Sequence, residues 1–147
     1  MLPLSKFARK VAISIITYLL MSCNGITIGD RSRVIRFQYT GYGDSIYTIL
    51  YGEVFEINKT GNINDTIPGS GADIKAEQNN KVVKTDAKGS FSIALEKGTF
   101  TLTITKPGYQ TLQMTNYISD PDRVSNTAIV LVKGSCIDHF EIAAPTR

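Results

Sequence analysis

The residues best suited to chemistry lie close together near the C-terminus. Side chains of the types that ligate metals occur at four positions, Cys136, Asp138, His139 and Glu141. His139 is the single histidine of the chain, whereas a catalytic zinc ion is held by three protein ligands that commonly include several histidines. A Cys136–His139 pair would need a fixed geometry for the histidine to activate the sulfur. The spacing matches no metal-binding pattern, and we predict neither a metal site nor a catalytic pair here.

Carboxylates and amides elsewhere are better explained by loops and turns. Residues 62–65 carry three oxygen-bearing side chains but lack the alternate spacing and the distal glutamate of a calcium-binding loop. Asp86 and Gly89 occupy the first and fourth positions of a type I turn pattern, in which the carboxylate caps the turn. No glycine-rich phosphate loop precedes a helix. We therefore predict a protein that is not an enzyme and that needs no cofactor.

The first 22 residues have the pattern of a secretory signal. A positively charged flank precedes Val11 to Leu20 (VAISIITYLL), an apolar run of ten residues. This run is too short to span a bilayer as a helix, which takes about 20 residues. A positive flank, a short apolar run and a small residue before a cleavage site together mark a signal peptide.

Cys23 is the residue for which the sequence does predict a reaction. The tetrapeptide Leu20-Met21-Ser22-Cys23 resembles a bacterial lipobox. In that motif the cysteine sulfur receives a diacylglycerol, the chain is cut before the cysteine, and the new amine is acylated by a fatty acid such as palmitate. The resemblance implies cleavage between Ser22 and Cys23 and a stable lipid anchor, since more than one acyl chain holds a protein at a membrane. The alternative is an ordinary signal peptide followed by an incidental cysteine.

The charge balance agrees with removal of the signal segment. The chain has 16 Lys and Arg against 13 Asp and Glu, and three of the basic residues but none of the acidic ones lie in residues 1–22. The remainder is formally neutral, so we expect no nucleic-acid partner. Residues 24–30 lack the acidic run that directs some lipoproteins to the cell surface. We predict a lipid-anchored protein of the bacterial cell envelope, in the outer membrane facing the periplasm, with surface exposure as the alternative.

The second cysteine depends on the fate of the first. Two cysteines in an exported protein can form a disulfide. A Cys23 sulfur that carries lipid as a thioether cannot also pair. We then expect Cys136 to pack as a small apolar residue, with pairing between chains as the alternative.

The elements that must position any site are predicted to be β-strands. In residues 91–95 the large apolar side chains fall at Phe91, Ile93 and Leu95, and residues 100–104 repeat the pattern. This period-two alternation places one set of side chains in a core and the other towards solvent. Glu96-Lys97-Gly98 between them predicts a three-residue hairpin loop.

Short strands with the same alternation account for most of the remaining chain. We expect Ile35, Phe37 and Tyr39 to share one face, and Gly52 to mark a bulge or a close approach of the backbone. Seven or more short strands without helical periodicity predict an all-β fold, an antiparallel β-sandwich of about seven strands. The further strands are predicted at Arg33–Tyr39, Tyr47–Glu56, Ala72–Gln78, Lys81–Thr85, Tyr109–Tyr117 and Asn126–Lys133, with an edge strand or no structure in residues 135–147.

Tyrosines and arginines offer alternative interpretations of the surface. The three arginines of residues 31–36 could form a basic patch, but a solvated edge strand explains them better, because charges on an edge prevent unwanted pairing. The chain has no tryptophan, which weakens a carbohydrate-binding platform. Tyrosines of a sandwich are more often core or corner residues than sugar-stacking platforms. The six tyrosines concerned are Tyr39, Tyr42, Tyr47, Tyr51, Tyr109 and Tyr117.

The turn positions between about Thr48 and Lys133 resemble those of a known family. The matching pieces are Gly52-Glu53-Val54, Ile67-Pro68-Gly69, Ala72-Asp73-Ile74, Thr85-Asp86, Gly89-Ser90-Phe91, Gly98-Thr99-Phe100-Thr101-Leu102, Pro107-Gly108-Tyr109 and Ile129-Val130-Leu131. Their order and spacing resemble the carboxypeptidase regulatory-like domain, a transthyretin-like β-sandwich. One departure is the pair Ser70-Gly71, interposed before the second strand of that pattern, where we expect a longer loop and a bulge.

The resemblance implies a scaffold or a binding role, because this family supplies no catalytic motif. The predicted organisation is a signal peptide (1–22), a lipidated cysteine with a tether and a possible extra strand (23–46), the sandwich (47–133) and a tail (134–147). We predict a membrane-anchored interaction module whose recognition loops, Asn58–Gly71 and Ile118–Ser125, lie at one end. The alternative is a structural accessory subunit of an outer-membrane transport or carbohydrate-uptake complex, which adds an exposed strand to a partner's sheet.

Overall fold

A computed structural model describes residues 31–40, 47–57, 65–121 and 123–144. The signal segment, Ser22, Cys23 and residues 58–64 lie outside these ranges. The described residues form strands and no helix, and none of them makes a helix of the length and apolar character that crossing a membrane requires. The strands are β1 (Arg33–Thr40), β2 (Thr48–Ile57), β3 (Thr66–Pro68), β4 (Asp73–Ala76), β5 (Lys81–Lys84), β6 (Ser90–Leu95), β7 (Gly98–Thr105), β8 (Thr111–Ser119), β9 (Val124–Leu131) and β10 (Ile137–Glu141).

Two five-stranded sheets pack face to face. Sheet I has the order β1-β9-β2, and the far side of β2 pairs with β6 along one half and with β3 along the other. Sheet II has the order β10-β8-β7-β4-β5. The β2–β9 and β8–β10 pairs are parallel, and all other pairs are antiparallel. The predicted all-β sandwich is confirmed, with mixed sheets and more strands than the alternation predicts.

Alternating apolar residues of both sheets form the core. Leu50 and Val54 on β2 and Ile129 on β9 face it from sheet I, and Leu102 and Ile104 on β7 face it from sheet II. Each of these five side chains is fully buried. Burial of one such side chain stabilises the fold by about 1.5–3 kcal/mol. Period-two alternation therefore identifies the core strands correctly.

The predicted hairpin through Glu96-Lys97-Gly98 is wrong. β6 pairs with β2 in sheet I, whereas β7 pairs with β4 and β8 in sheet II. The connection through Glu96 and Lys97 therefore crosses from one sheet to the other. Both strands point their apolar residues into the same core, but from opposite sides. Alternation shows which side chains are inward and does not show which strand is the partner.

The first strand contains a bulge that changes which residues face the core. The register between β1 and β9 shifts between Val34 and Arg36. Val34, Phe37 and Tyr39 pack against the core, whereas Ile35 is 45% exposed. The expectation that Ile35 shares a face with Phe37 and Tyr39 is wrong, because the extra residue of a bulge breaks the alternation.

Two strands go beyond the firm predictions. Residues 137–141 form β10, an edge strand that pairs in parallel with β8. This outcome selects the edge strand over an unstructured tail for this part of the chain. β3 is a three-residue strand within the segment predicted as a loop, and it pairs with the last residues of β2. Pro68 lies at its end, where the missing amide donor is tolerated at a sheet edge.

A buried corner joins the turn before β4 to the turn before β6. The hydroxyl of Thr85 donates to the carbonyl of Gly69 at 2.6 Å and accepts the amide of Ala72 at 2.8 Å. Gly89 has φ of +79°, and a Cβ there would overlap the carbonyl oxygen of Val54. Only glycine fits such a position. The interposed pair 70–71 forms a turn, and β4 keeps an unbroken register with both neighbours, so the expected bulge is not observed in this strand.

Candidate ligand-binding face

The described chain begins at one end of the sandwich, which we call the proximal end. There the amide of Ser32 donates to Gln110 Oε1 and to Asp138 Oδ2, each at 2.9 Å. The hydroxyl of Ser32 donates to the carbonyl of Gln110 at 3.3 Å and accepts the amide of Val132 at 2.9 Å. Ser32, Gln110 and Asp138 are all buried. This network fixes the direction in which the chain reaches the sandwich.

Asp138 is one of the two acids of the C-terminal cluster, and it has a structural role. Burial raises the pKa of its carboxyl, and the Ser32 amide and the charges of Arg31 and His139 oppose that rise. Asp138 is buried, while His139 and Glu141 are exposed, because successive residues of β10 point to opposite faces. Among the described residues no group of three or more His, Cys, Asp or Glu could hold a metal ion.

Cys136 is disulfide-bonded, and none of the described cysteines is a free thiol. The expectation that Cys136 packs as an unmodified apolar residue is therefore wrong. Cys23 lies outside the described residues, so its lipid attachment and the cleavage after Ser22 stay predictions.

A second buried acid, Glu56, also serves the fold. It is 4% exposed, and its carboxylate contacts Lys106 Nζ through one oxygen and the hydroxyl of Tyr109 through the other. Lys106 and Tyr109 flank the turn at Pro107 and Gly108. The three side chains therefore tie that turn of sheet II to β2 of sheet I. Paired in this way, Glu56 is a structural group and offers no acid or base to a substrate.

The two loops predicted to form one recognition surface lie at opposite ends. β2 and β9 run in parallel, with Leu50 opposite Ser125 and Glu56 opposite Leu131. The C-terminal end of β2, where residues 58–64 begin, is therefore at the proximal end. Ser119 and Val124, which flank the other loop, are at the distal end, because Val124 begins β9. The prediction of a joint loop site is wrong, since a parallel pair was not expected.

The outer face of sheet I presents a different arrangement. A row of outward side chains crosses four strands at one level, because the cross-strand partners are Gln38 with Asn126, Asn126 with Tyr51, and Tyr51 with Ser92. Tyr51 is 45% exposed although β2 lies inside the sheet, between β9 and β6. An aromatic ring in this position is flanked by neutral polar groups on both sides. We call this row and the next one the Tyr51 face.

The next row adds a pair of opposite charges. Arg36 Nη2 lies 3.8 Å from Glu53 Oε2 and 3.4 Å from Asn126 Oδ1. Both side chains of the ion pair are half exposed. The guanidinium thus orients the amide of Asn126 beside the Tyr51 ring. Arg36 does lie on an edge strand with its side chain half exposed, as the sequence predicts. Its guanidinium also contacts Asn126.

Gly52 lies beneath this face at a point of close packing. A Cβ on its inner side would overlap the ring of Phe91, its cross-strand partner, and would crowd the methyl of Thr127. The close approach predicted for Gly52 is confirmed, and it is made by a side chain. Above Gly52 lies a shallow hollow of about 230 Å³, bounded by Tyr51, Arg36, Glu53 and neighbouring residues.

The tyrosines divide into two groups. Tyr117 is buried, with its hydroxyl 2.6 Å from Ser125 Oγ, and burial raises its pKa to about 12. Tyr39 and Tyr109 are partly buried against the core, so the core or corner interpretation holds for these three. It is wrong for Tyr51 and for Tyr47, which is 49% exposed. Tyr42 lies outside the described residues. The sequence contains a signal for Tyr51. Leu50 and Val54 of the same strand point inward, so Tyr51, which is an odd number of positions from each, points outward.

Comparisons with known proteins find a similar family and similar solved structures. No curated protein matches the sequence. Among the chains of solved structures that are similar to it are two from crystal structures of type II cohesin–X-dockerin complexes of Acetivibrio cellulolyticus with mutated interfaces. Each is 22% identical, with TM-scores of 0.47 and 0.48, and the similarity covers 60% of this chain and 60% of the other. Residues 60–132, about half of the chain, match the model of the Carboxypeptidase regulatory-like domain family. This segment is therefore similar to the carboxypeptidase regulatory-like domain, as its turn motifs indicate.

Proposed function

We propose that this protein is a lipid-anchored, non-catalytic binding module of the bacterial cell envelope, and that the Tyr51 face is its binding surface. The observation that carries the proposal is the half-exposed Tyr51 on an interior strand, framed by an oriented amide and an ion pair. Aromatic and arginine side chains with placed polar groups are typical of binding surfaces. Arg36, Tyr51 and Glu53 lie before residue 60, outside the segment that matches the family, whereas Ser92 and Asn126 lie within it.

The buried acids support a non-catalytic role. Glu56 and Asp138 are each engaged by groups that stabilise the fold, as described above. A catalytic acid or base must instead lie within hydrogen-bond reach of a substrate. Both carboxylates are buried beneath the surface.

The proximal end suits attachment to a membrane. Ser32 lies nine positions after Cys23 in sequence, and such a segment spans at most about 30 Å when extended. Acyl chains on Cys23 would hold the proximal end near the bilayer. The Tyr51 face lies along the side of the sandwich, where an envelope component could reach it.

The anchor is tested by mass spectrometry of the native N-terminus and by fractionation of Cys23→Ser. We expect a mature chain that begins at an acylated Cys23, and a C23S variant that leaves the membrane fraction. The chain has two cysteines and Cys136 is disulfide-bonded, so an acylated Cys23 requires that Cys136 pair between chains. The same spectrum tests this, and a Cys23–Cys136 disulfide in the native protein would contradict the anchor. An unacylated Cys23 in the native protein would remove the anchor from the proposal.

The surface is tested by co-purification from native envelopes. Tyr51→Arg should reduce recovery of the bound envelope component, because the new charge disrupts the face. Val82→Arg is the matched control, since Val82 is 51% exposed on β5 of the other sheet. Equal recovery with both variants would contradict the Tyr51 face as the binding surface.

Addition of a strand to a partner's sheet is less well supported. β1 carries a bulge and two arginines, and β3 has three residues and ends in Pro68. β5 begins with Lys81 and ends with Lys84. These features are the ones that hinder pairing at sheet edges. These three edges therefore give the accessory-subunit alternative no specific support.

A further inference from the structure

We propose that the Tyr51 face binds a neutral oligosaccharide. This inference rests on the proposed function, since it uses the same surface, and it adds the chemical class of the ligand. Three properties of the face carry it: an exposed aromatic ring, neutral hydrogen-bonding groups beside the ring, and a shallow open shape.

The ring of Tyr51 supplies the apolar contact. A π-system has a negative face, which attracts the polarised C–H groups on one side of a pyranose ring. Tyr51 lies on β2, whose neighbours on both sides are strands, so the ring is supported by the sheet beneath it. On the inner side of β2, the ring of Phe91 packs against Gly52, where any other residue would place a Cβ. A sugar ring could therefore lie on Tyr51 without displacing protein groups.

The polar neighbours match hydroxyl groups. Asn126 and Gln38 offer amide donors and acceptors, and Ser92 offers a hydroxyl that can do both. Sugar hydroxyls also donate and accept, so they can satisfy either end of these side chains. The contact to Arg36 engages the Asn126 oxygen, so the amide nitrogen of Asn126 is the group that would donate to a ligand. An apolar ligand would bury these groups without partners, which costs about 1–3 kcal/mol for each.

The charges favour a neutral ligand. Arg36 and Glu53 are 3.8 Å apart and offset each other. No other charged side chain bounds the hollow above Gly52 among the described residues. An anionic ligand would be attracted by the guanidinium and repelled by the carboxylate. The face therefore gives no net preference for phosphate or for an acidic peptide.

The shape favours an extended ligand that lies on the surface. The hollow of about 230 Å³ is smaller than the pockets of about 300–1,000 Å³ that enclose compact ligands. The row from Gln38 to Ser92 continues on both sides of the hollow across four strands. A chain of sugar units can follow that row, with one unit on Tyr51 and its neighbours over Asn126 and Ser92.

The test measures binding of the full chain, purified in detergent, to neutral tetrasaccharides of glucose, xylose, mannose and N-acetylglucosamine by titration calorimetry. We expect at least one to bind and Tyr51→Ala to weaken that binding by about tenfold or more, equivalent to about 1.4 kcal/mol. Tyr51→Phe keeps the ring and should retain most of the affinity. Val82→Ala, on the other sheet, should leave it unchanged. Thermal melts of all variants check that they fold.

Two results would overturn the inference: no tetrasaccharide binds, or Y51A binds as tightly as the unaltered chain. If no tetrasaccharide binds but Y51R still recovers less of the envelope component than the unaltered chain, the binding surface stands and only the ligand class is wrong. If neither a sugar nor an envelope component depends on Tyr51, the proposed binding surface fails as well.

Discussion

The proximal end and the Tyr51 face use the same kinds of residue for different purposes. At the proximal end Glu56 and Tyr109 contact each other in a buried cluster with Lys106. On the Tyr51 face an acid and a tyrosine lie half exposed, beside Arg36. Glu53 and Glu56 are three positions apart on one strand, so they point to opposite faces. Position along the strand decides which acid is buried in the fold and which is exposed on the surface, and residue type alone does not.

The largest expected effect separates these two acids by stability. Glu56→Ala leaves Lys106 without its partner in a partly buried site, and we expect a loss of about 3 kcal/mol in the free energy of unfolding. Glu53→Ala removes a half-exposed ion pair and should cost less than about 1 kcal/mol. Urea denaturation of both variants measures the difference. Equal losses would show that the contrast between the two regions is wrong.

A smaller effect is expected where the core supports the Tyr51 face. Gly52→Ala inserts a Cβ against the ring of Phe91 and should destabilise the protein by about 1–3 kcal/mol through overpacking. In a Phe91→Leu background the same change should cost less, because the ring that it meets is gone. Thermal or urea unfolding of the two single variants and the double variant gives the coupling. Simple additivity would mean that Gly52 is needed for another reason.

The smallest effect concerns pH at the proximal end. The raised pKa of Asp138 means that the native state holds this proton more tightly than the unfolded chain does. Stability from this group therefore falls as pH rises through the raised pKa, and is greatest below the unfolded value of about 3.9. Asp138→Asn keeps an acceptor for Ser32 and removes that ionisation. We expect D138N to gain stability relative to the unaltered chain as pH rises from 4 to 7, measured by urea unfolding at each pH. A constant difference would contradict this.

The sequence predicts the strands and the core because alternation is local. It does not predict that β6 and β7 belong to different sheets, since Glu96-Lys97-Gly98 suits a hairpin and a crossing equally. The bulge after Val34 leaves no residue signal, and so the direction of Ile35 is wrong. The parallel pairing of β2 with β9 depends on contacts far apart in the chain, and it decides that the two predicted loops lie at opposite ends.

Part of the Tyr51 face could be predicted from the sequence. Leu50 and Val54 point inward, so Tyr51 must point outward. The predicted core position of Tyr51 is wrong because that prediction applied one rule to all six tyrosines. Its neighbours Asn126 and Ser92 could not be named, because they come from strands that the pairing alone brings beside β2. The pairing of β2 with β9 and β6 is again a contact between segments distant in sequence.

The most direct measurement of the central proposal places a photoactivatable cross-linking residue at position 51 in the native envelope, with position 82 as the control. We expect irradiation to attach an envelope component at position 51, and little or none at position 82, which has a similar exposure on the other sheet. Cross-linking at neither position, or equally at both, would contradict a binding role for the Tyr51 face.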